Sequence, residues 1–338
     1  MLTILAFISC SGNPQIFCEP EPHRLDDSLR INQLQGIGTH NSYHVDANEG
    51  RIVEWSYSHP RIYEQLLNQG VRQLELDLLF SEVEQRFAVV HVPLLDDGTN
   101  CEWLSDCLAD VFAFSSDYPA HHPIVILLEV KSDFDEVEIP ERLAQLESVI
   151  WDSLGEGALL TPDMVQAEHD SLKSAIESDG WPTLGESRGR SMVVLHAGGD
   201  LRRVYTEGET TTSGRLMFPD SNGVMDWPVS AFHSWNDPEA GDLMFNISTI
   251  VDSGHIVRTR ADADLVEARD LDYSRLEAAL SSGAQFISTD LPVATEGFEY
   301  VAEIPGGTPS RCNPVSAPDN CLSSDVESPE ILVSCIAD

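Results

Sequence analysis

From about Ile31 onward the apolar residues gather in short runs: LQGIGTH at 34–40, VRQLELDLLF at 71–80, IVILLEV at 124–130, SMVVLHA at 191–197, DLMFNIS at 242–248, HIVRTR at 255–260 and QFISTD at 285–290. Each has strand length, and most are nearly unbroken in apolar character, the pattern of strands covered on both faces. Amphipathic stretches lie between them. HPRIYEQLLNQG at 59–70, IPERLAQLESVIWDSLG at 139–155 and DYSRLEAALSSG at 272–283 all read as helices stopped by a glycine. Strand and helix alternate through most of a 338-residue chain. That predicts a parallel sheet, and the length favours an α/β fold built as a single TIM-type (β/α)8 barrel, not necessarily a regular one.

Other stretches fill in around this frame. RFAVVHVP at 86–93 is expected as a hairpin-like extension of the second strand. The regions 200–228 and 230–241 are rich in Gly, Pro, Asp and Trp and read as long loops at the barrel mouth, with Trp227, Phe232 and Trp235 as apolar rim contacts. The expected division is a leader and linker over 1–23, the barrel over 24–303, and a Pro/Ser-rich tail over 304–338 pinned by disulfides. No internal repeat is visible.

Composition narrows the partners. Fifty-seven acidic residues against 19 basic ones leave a net charge of -38, spread without a long like-charge run. Nucleic acid is therefore excluded as a partner, and an anionic substrate has to be drawn in by a local cation. A carboxylate excess of this size suits salt-rich water and points to a marine or salt-adapted bacterial source. The opening MLTILAFISCSGN carries an apolar stretch at 2–8 that is too short to span a bilayer, and its Ser9-Cys10-Ser11-Gly12 junction is lipoprotein-like, with Phe7 where leucine is usual. If Cys10 is lipidated, six of the seven cysteines remain, and the expected bridges are 101–107, 312–321 and 18–335. No Cys-x-x-Cys pair favours zinc, so disulfides in an exported, monomeric protein are the expectation.

The chemistry gathers where the runs end. His40-Asn41, Glu129-Val130-Lys131, His196, Arg258-Thr259-Arg260 and Thr289-Asp290 all close strand-like segments, which in a barrel are the positions that carry active sites. Glu75 and Asp77 are two apart on a strand and share a face, so their charges repel unless a cation lies between them. Glu129 offers a third carboxylate and Asn41 a carbonyl oxygen. Such an all-oxygen set suits one calcium or magnesium ion. His40 and His91, both at run ends, suit the acid and base steps of phosphoryl transfer. Lys131 and Arg258 are candidate ligands for phosphate or a headgroup; Arg260 is equally suited to pairing with Asp262 or Asp264, and Asp290 to positioning an arginine. His44 has the spacing of a helical metal pair with His40, but the glycines before it indicate a strand leaving into a loop, so it stays unassigned.

The ordered set His40-Asn41, Glu75-x-Asp77, His91, Glu129 resembles the calcium-dependent phosphoinositide-specific phospholipases C, and GVRQLELD, HIVRTRADAD and SGAQFISTD look like the small secreted bacterial branch of that family. The resemblance implies a barrel phosphodiesterase that uses one calcium ion held by Asn41, Glu75, Asp77 and Glu129. It implies attack of the inositol 2-hydroxyl on phosphorus, giving a cyclic inositol phosphate and diacylglycerol. His40 would stabilise the pentacoordinate phosphate, His91 would protonate the leaving oxygen, and one of the ligating carboxylates would be the base. Phosphoinositide membranes would be met only transiently. A glycerophosphodiester phosphodiesterase is a second reading, although His40 lacks the Arg-Gly that usually follows in that group. A non-catalytic calcium-binding surface lipoprotein is a third, against which the two histidines argue.

Overall fold

Eight short parallel strands form the centre of the molecule, each lined up with its neighbour in chain order. The computed structural model describes residues 23–241 and 245–328; Cys10, Cys18 and Cys335, and with them the lipidation and the 18–335 bridge, lie outside these. The strands are β1 (Leu34–Thr39), β2 (Gln73–Ser81), β4 (Ile124–Val130), β5 (Ser191–His196), β6 (Phe218–Pro219), β7 (Phe232–Ser234), β8 (Ile256–Arg260) and β9 (Phe286–Thr289). β3 (Arg86–Val89) folds back antiparallel on β2. Hydrogen bonding runs β6-β5-β4-β2-β1-β9-β8-β7, and a parallel bridge between Asp220 and Phe232 brings the two ends of this order together as a nearly closed barrel.

Alternation along the strands sorts the side chains. Val125, Leu127, Met192, Val194, Phe218, Phe232, Ile256 and Phe286 pack into one apolar cluster inside the ring, while Leu74, Leu76, Ile126, Leu128, Val193, Leu195, Val257 and Ile287 face the outer helices. These helices include α1 (Ile62–Asn68), α2 (Leu104–Asp117), α3 (Ile139–Leu154) and the segment Ser274–Ser281. Among the described residues no helix is long and apolar enough to cross a membrane.

Three expectations need correction. Of the run at 242–248, Phe245 and Asn246 form no strand and Ile247 opens the helix Ile247–Asp252, while 242–244 fall outside the described residues. The two regions read as long loops contain the helix Gly199–Tyr205 and the strands β6 and β7, whose two and three residues are too few to create a periodic signal. Phe232 is fully buried inside the barrel and not at the rim, because closing the ring turns its side chain inward. Among the described residues two disulfides are formed, Cys101–Cys107 and Cys312–Cys321. The second holds the segment after 304, where β10 (Arg311–Cys312) pairs antiparallel with β1.

Candidate active site

Inward-facing positions change from apolar to polar at the C-terminal ends of the strands. On β2 the sequence Gln73, Glu75, Asp77 points inward. On β4 Glu129 follows Leu127, on β5 His196 follows Val194, and on β8 Arg258 and Arg260 follow Ile256. Register sets the heights: Asp77 pairs with Glu129, and Glu129 with His196, so these three form one row across adjacent strands. Beside them β1 contributes Gly36 and Gly38, then His40. A Cβ at Gly38 would stand 2.9 Å from the Gln73 Cβ, so glycine there lets the β2 side chains pack across β1.

The turn after β1 supplies Asn41, held in the left-handed region at φ 44 and almost fully buried, a conformation that asparagine tolerates better than most residues. Ser42 ties this turn to β2, its Oγ accepting from the Glu75 amide at 2.9 Å. His40 donates Nδ1–H to Asp290 Oδ1 at 2.9 Å. Burial and the nearby Arg260 lower the His40 pKa, against the opposing pull of Asp290. Asp290 itself is held at about 2: burial works against its charge, but His40 and Arg260 overcome it.

Glu75 is paired with Arg258, whose guanidinium also meets Asn236 and, at 3.2 Å, Ser288. Burial raises the Glu75 carboxyl, and the charge of Arg258 more than reverses this, leaving it below the usual range. Asp77 has less relief. Burial, together with Glu129 and Glu75, pushes it to about 7 in spite of Lys131. Its Oδ1 and the Tyr43 hydroxyl are both buried and face each other without a well-formed hydrogen bond. Lys131 Nζ sits 2.6 Å from Glu129 and 3.4 Å from Asp77, on a side chain that remains 36% exposed.

These observations bear on the metal that the resemblance implies. Three carboxylates converge, and one of them, Asp77, both has a buried oxygen short of a hydrogen-bond partner and is driven toward protonation; a divalent cation relieves this. Glu75 and Glu129 each present an oxygen within 4.8 Å of the other and of a His196 ring nitrogen. The residues present therefore fit a divalent ion, with Lys131 as the mobile cation that would give way to it.

His91 lies beyond β3 and donates Nδ1–H to Asp96 Oδ2 at 2.8 Å. The same buried carboxylate accepts from His44 Nε2 at 2.9 Å, so the histidine left unassigned by spacing is part of the support of His91. Tyr57 packs against His44 in a tilted arrangement, 4.5 Å between ring centroids, and its hydroxyl faces Asp290 and Asn41. The support of His91 thus abuts that of His40. Arg260 lies 3.7 Å from Asp290 with two guanidinium nitrogens lacking hydrogen-bond partners, which makes it, more than Arg258, the arginine with free donors. Sequence reasoning gave no role to Asp96, Tyr57, Asp220 or His196. The last closed an apolar run, and that was the signal.

The chain matches a family model described as "Phosphoinositide phospholipase C, Ca2+-dependent" over residues 29–88 and 82–314. Its fold is similar to the calcium-dependent phosphatidylinositol-specific phospholipase C of Streptomyces antibioticus, at 16% identity and a TM-score of 0.59 over 78% of this chain and 96% of that one. It is also similar to the calcium-dependent phosphoinositol-specific enzyme of a Gram-negative Pseudomonas species, at 18% identity and 0.58 over 82% and 95%. The myo-inositol complex of the latter gives 18% and 0.58 over 80% and 93%. At these identities the likeness is one of fold. No curated protein matches the chain.

Proposed function

This chain belongs to the calcium-dependent phosphoinositide phospholipase C family and is a phosphodiesterase; from that premise we propose that it cleaves phosphatidylinositol-type diesters by attack of the inositol 2-hydroxyl, giving a cyclic inositol phosphate and diacylglycerol. One observation carries the reading: the Asp290-held His40, the Asp96-held His91 and the row Asp77, Glu129 open on one end of the barrel.

Asn41, Glu75, Asp77 and Glu129 would hold a single calcium ion. Bound there, calcium lowers the pKa of the attacking hydroxyl and offsets phosphate charge. The protein's own residues do the rest. Asp290 accepts from His40 Nδ1–H and stabilises the imidazolium, whose Nε2–H donates to a non-bridging phosphate oxygen as the pentacoordinate state forms. Asp96 stabilises the imidazolium of His91, whose Nε2–H goes to the departing glycerol oxygen. A ligating carboxylate accepts the 2-hydroxyl proton. Lys131, exposed at the rim, meets the phosphate, and Arg258, buried against Glu75, fixes that carboxylate in place. Both buried carboxylates accept from imidazoles whose other nitrogen is left for substrate, an arrangement a purely structural histidine does not need.

The reading extends to where the enzyme works. Val53, Val83, Leu94, Leu95 and Val137 are exposed on loops that leave the C-terminal strand ends, and they support brief contact of the mouth with a lipid surface despite the net charge of -38. The disulfides Cys101–Cys107 and Cys312–Cys321 support export to an oxidising compartment. The test is incubation with phosphatidylinositol or glycerophosphodiesters, with and without calcium, followed by phosphorus NMR. A cyclic phosphate from phosphatidylinositol, lost on chelation, is expected. Turnover confined to glycerophosphodiesters, or unaffected by a chelator, would overturn the proposal.

A further inference from the structure

The mechanism above leaves His196 and Asp220 unused, although they stand at the same mouth. His196 is in register with Glu129 across β4 and β5, and one ligand atom each from His196, Glu75 and Glu129 lies within 4.8 Å of the others. Of its ring nitrogens, Nδ1 is committed: it donates to Asp220 Oδ2 at 2.5 Å, with Ser234 Oγ 3.4 Å away. Asp220 is fully buried and fixed in turn, its Oδ1 accepting from the amides of Asn222 and Ser234 at 2.9 Å each. Burial opposes protonation of His196, but Asp220, Glu75 and Glu129 more than reverse this and raise its pKa; with Asp220 keeping the proton on Nδ1, an ion that displaces the other ring proton meets the lone pair on Nε2. This is how histidines that ligate metals are usually aligned. Asp77 Oδ1, buried in the same row without a well-formed hydrogen bond even though Lys131 Nζ stands 3.4 Å from Oδ2, is a second observation that points to an ion here.

We propose that His196, aligned by Asp220, is a nitrogen ligand to the divalent ion at this site, and that the site therefore takes borderline transition ions such as Mn2+ and Co2+ as well as Ca2+. The inference rests on the reading that Glu75, Asp77 and Glu129 hold an ion. Its chemistry follows from ligand type: calcium selects oxygen donors, whereas an imidazole strengthens binding along the first transition row. The strand register, which no local motif encodes, converts an all-oxygen set into a mixed one.

The test uses the full chain, stripped of metal and titrated separately with CaCl2 and MnCl2 by calorimetry, with electron spin echo spectroscopy on the Mn2+ form. Wild-type protein should show nitrogen modulation from a directly bound imidazole. His196→Gln should lose it, and Mn2+ affinity should fall by about tenfold or more while Ca2+ affinity changes less. Asp220→Asn should weaken Mn2+ by roughly 10- to 100-fold, as expected for loss of the partner that aligns a ligand. The wild-type spectrum needs no variant to fold. Stoichiometric Mn2+ without nitrogen modulation would overturn the inference and leave the calcium reading standing, as would Mn2+ failing to bind where Ca2+ does. A modulation that survives in His196→Gln would assign the nitrogen elsewhere and also overturn it. Failure of either ion to bind would remove both readings.

Discussion

His40 and His91 each give Nδ1 to a buried carboxylate, Asp290 and Asp96, at 2.9 and 2.8 Å. Geometry of this kind fixes the tautomer and leaves Nε2 for chemistry. Replacement of either histidine by alanine should lower kcat by on the order of 10² or more, measured as cyclic phosphate released under saturating calcium. The two losses should differ in kind. A substrate with a nitrophenolate leaving group needs little protonation, so His91→Ala and Asp96→Asn should recover most of their rate on it while His40→Ala does not; equal deficits on both substrates would remove the acid role of His91. The histidines were legible because they end apolar runs. Their partners were not: Asp290 is 250 residues from His40, and Asp96 joins His91 to His44 from a loop with no pattern of its own.

Within the barrel elements, glycine on β1 decides how close β2 can come. An alanine at Gly38 would set its Cβ 2.0 Å from Gln73 Oε1 and 2.9 Å from the Gln73 Cβ. The far amide can swing away, but the Cβ cannot. Gly38→Ala should destabilise the fold by about 1–3 kcal/mol, the usual range for overpacking, read as a lower urea midpoint, and it should weaken calcium binding because Glu75 and Asp77 ride on the displaced strand. An unchanged midpoint would show that the strands can part there at no cost. The long strands were visible from composition, since burial on both faces demands continuous apolar runs. β6 and β7 were hidden because two or three residues carry no periodicity, and α2 went unrecognised behind the disulfide that spans its start.

On the scale of the whole molecule, the face opposite the site is sealed by the C-terminal segment. Arg72, just before β2, forms a buried bidentate pair with Glu327, which also accepts from the His122 amide at 3.0 Å. Glu327→Gln leaves a buried guanidinium without its counter-charge and should cost about 3–5 kcal/mol in denaturant unfolding, with calcium affinity retained in the folded protein; a smaller loss would mean that the segment contributes little to holding the barrel. The pH profile follows from buried imidazoles. Burial lowers His59, His121 and His255 to about 4 and His122 and His233 to about 3. Such groups bind protons more readily when unfolded, so their contribution is complete above about 6.5 and is lost as pH falls toward 3. Asp77 and Asp262, raised to about 7 by burial first and neighbouring charge second, work in the opposite sense, but two carboxyls are outweighed by five imidazoles. Thermal melting of the chelated protein should therefore decline steadily below pH 6.5; a melting temperature flat down to pH 4 would contradict these assignments.

What the chain alone determined is the alternation of apolar runs with amphipathic stretches, and the polar residues that end those runs. That was enough for a barrel and for singling out His40, Asn41, Glu75, Asp77, His91 and Glu129 as candidates, because strand alternation and run endings are local properties. The tertiary structure decided which charges meet. Register placed His196 level with Glu129, ring closure turned Phe232 inward, and packing committed Arg258 to Glu75 while leaving Arg260 with free donors. Pairing across a barrel joins residues separated by tens to hundreds of positions, and the electrostatic cost of burying each charge depends on those neighbours and not on its place in the sequence.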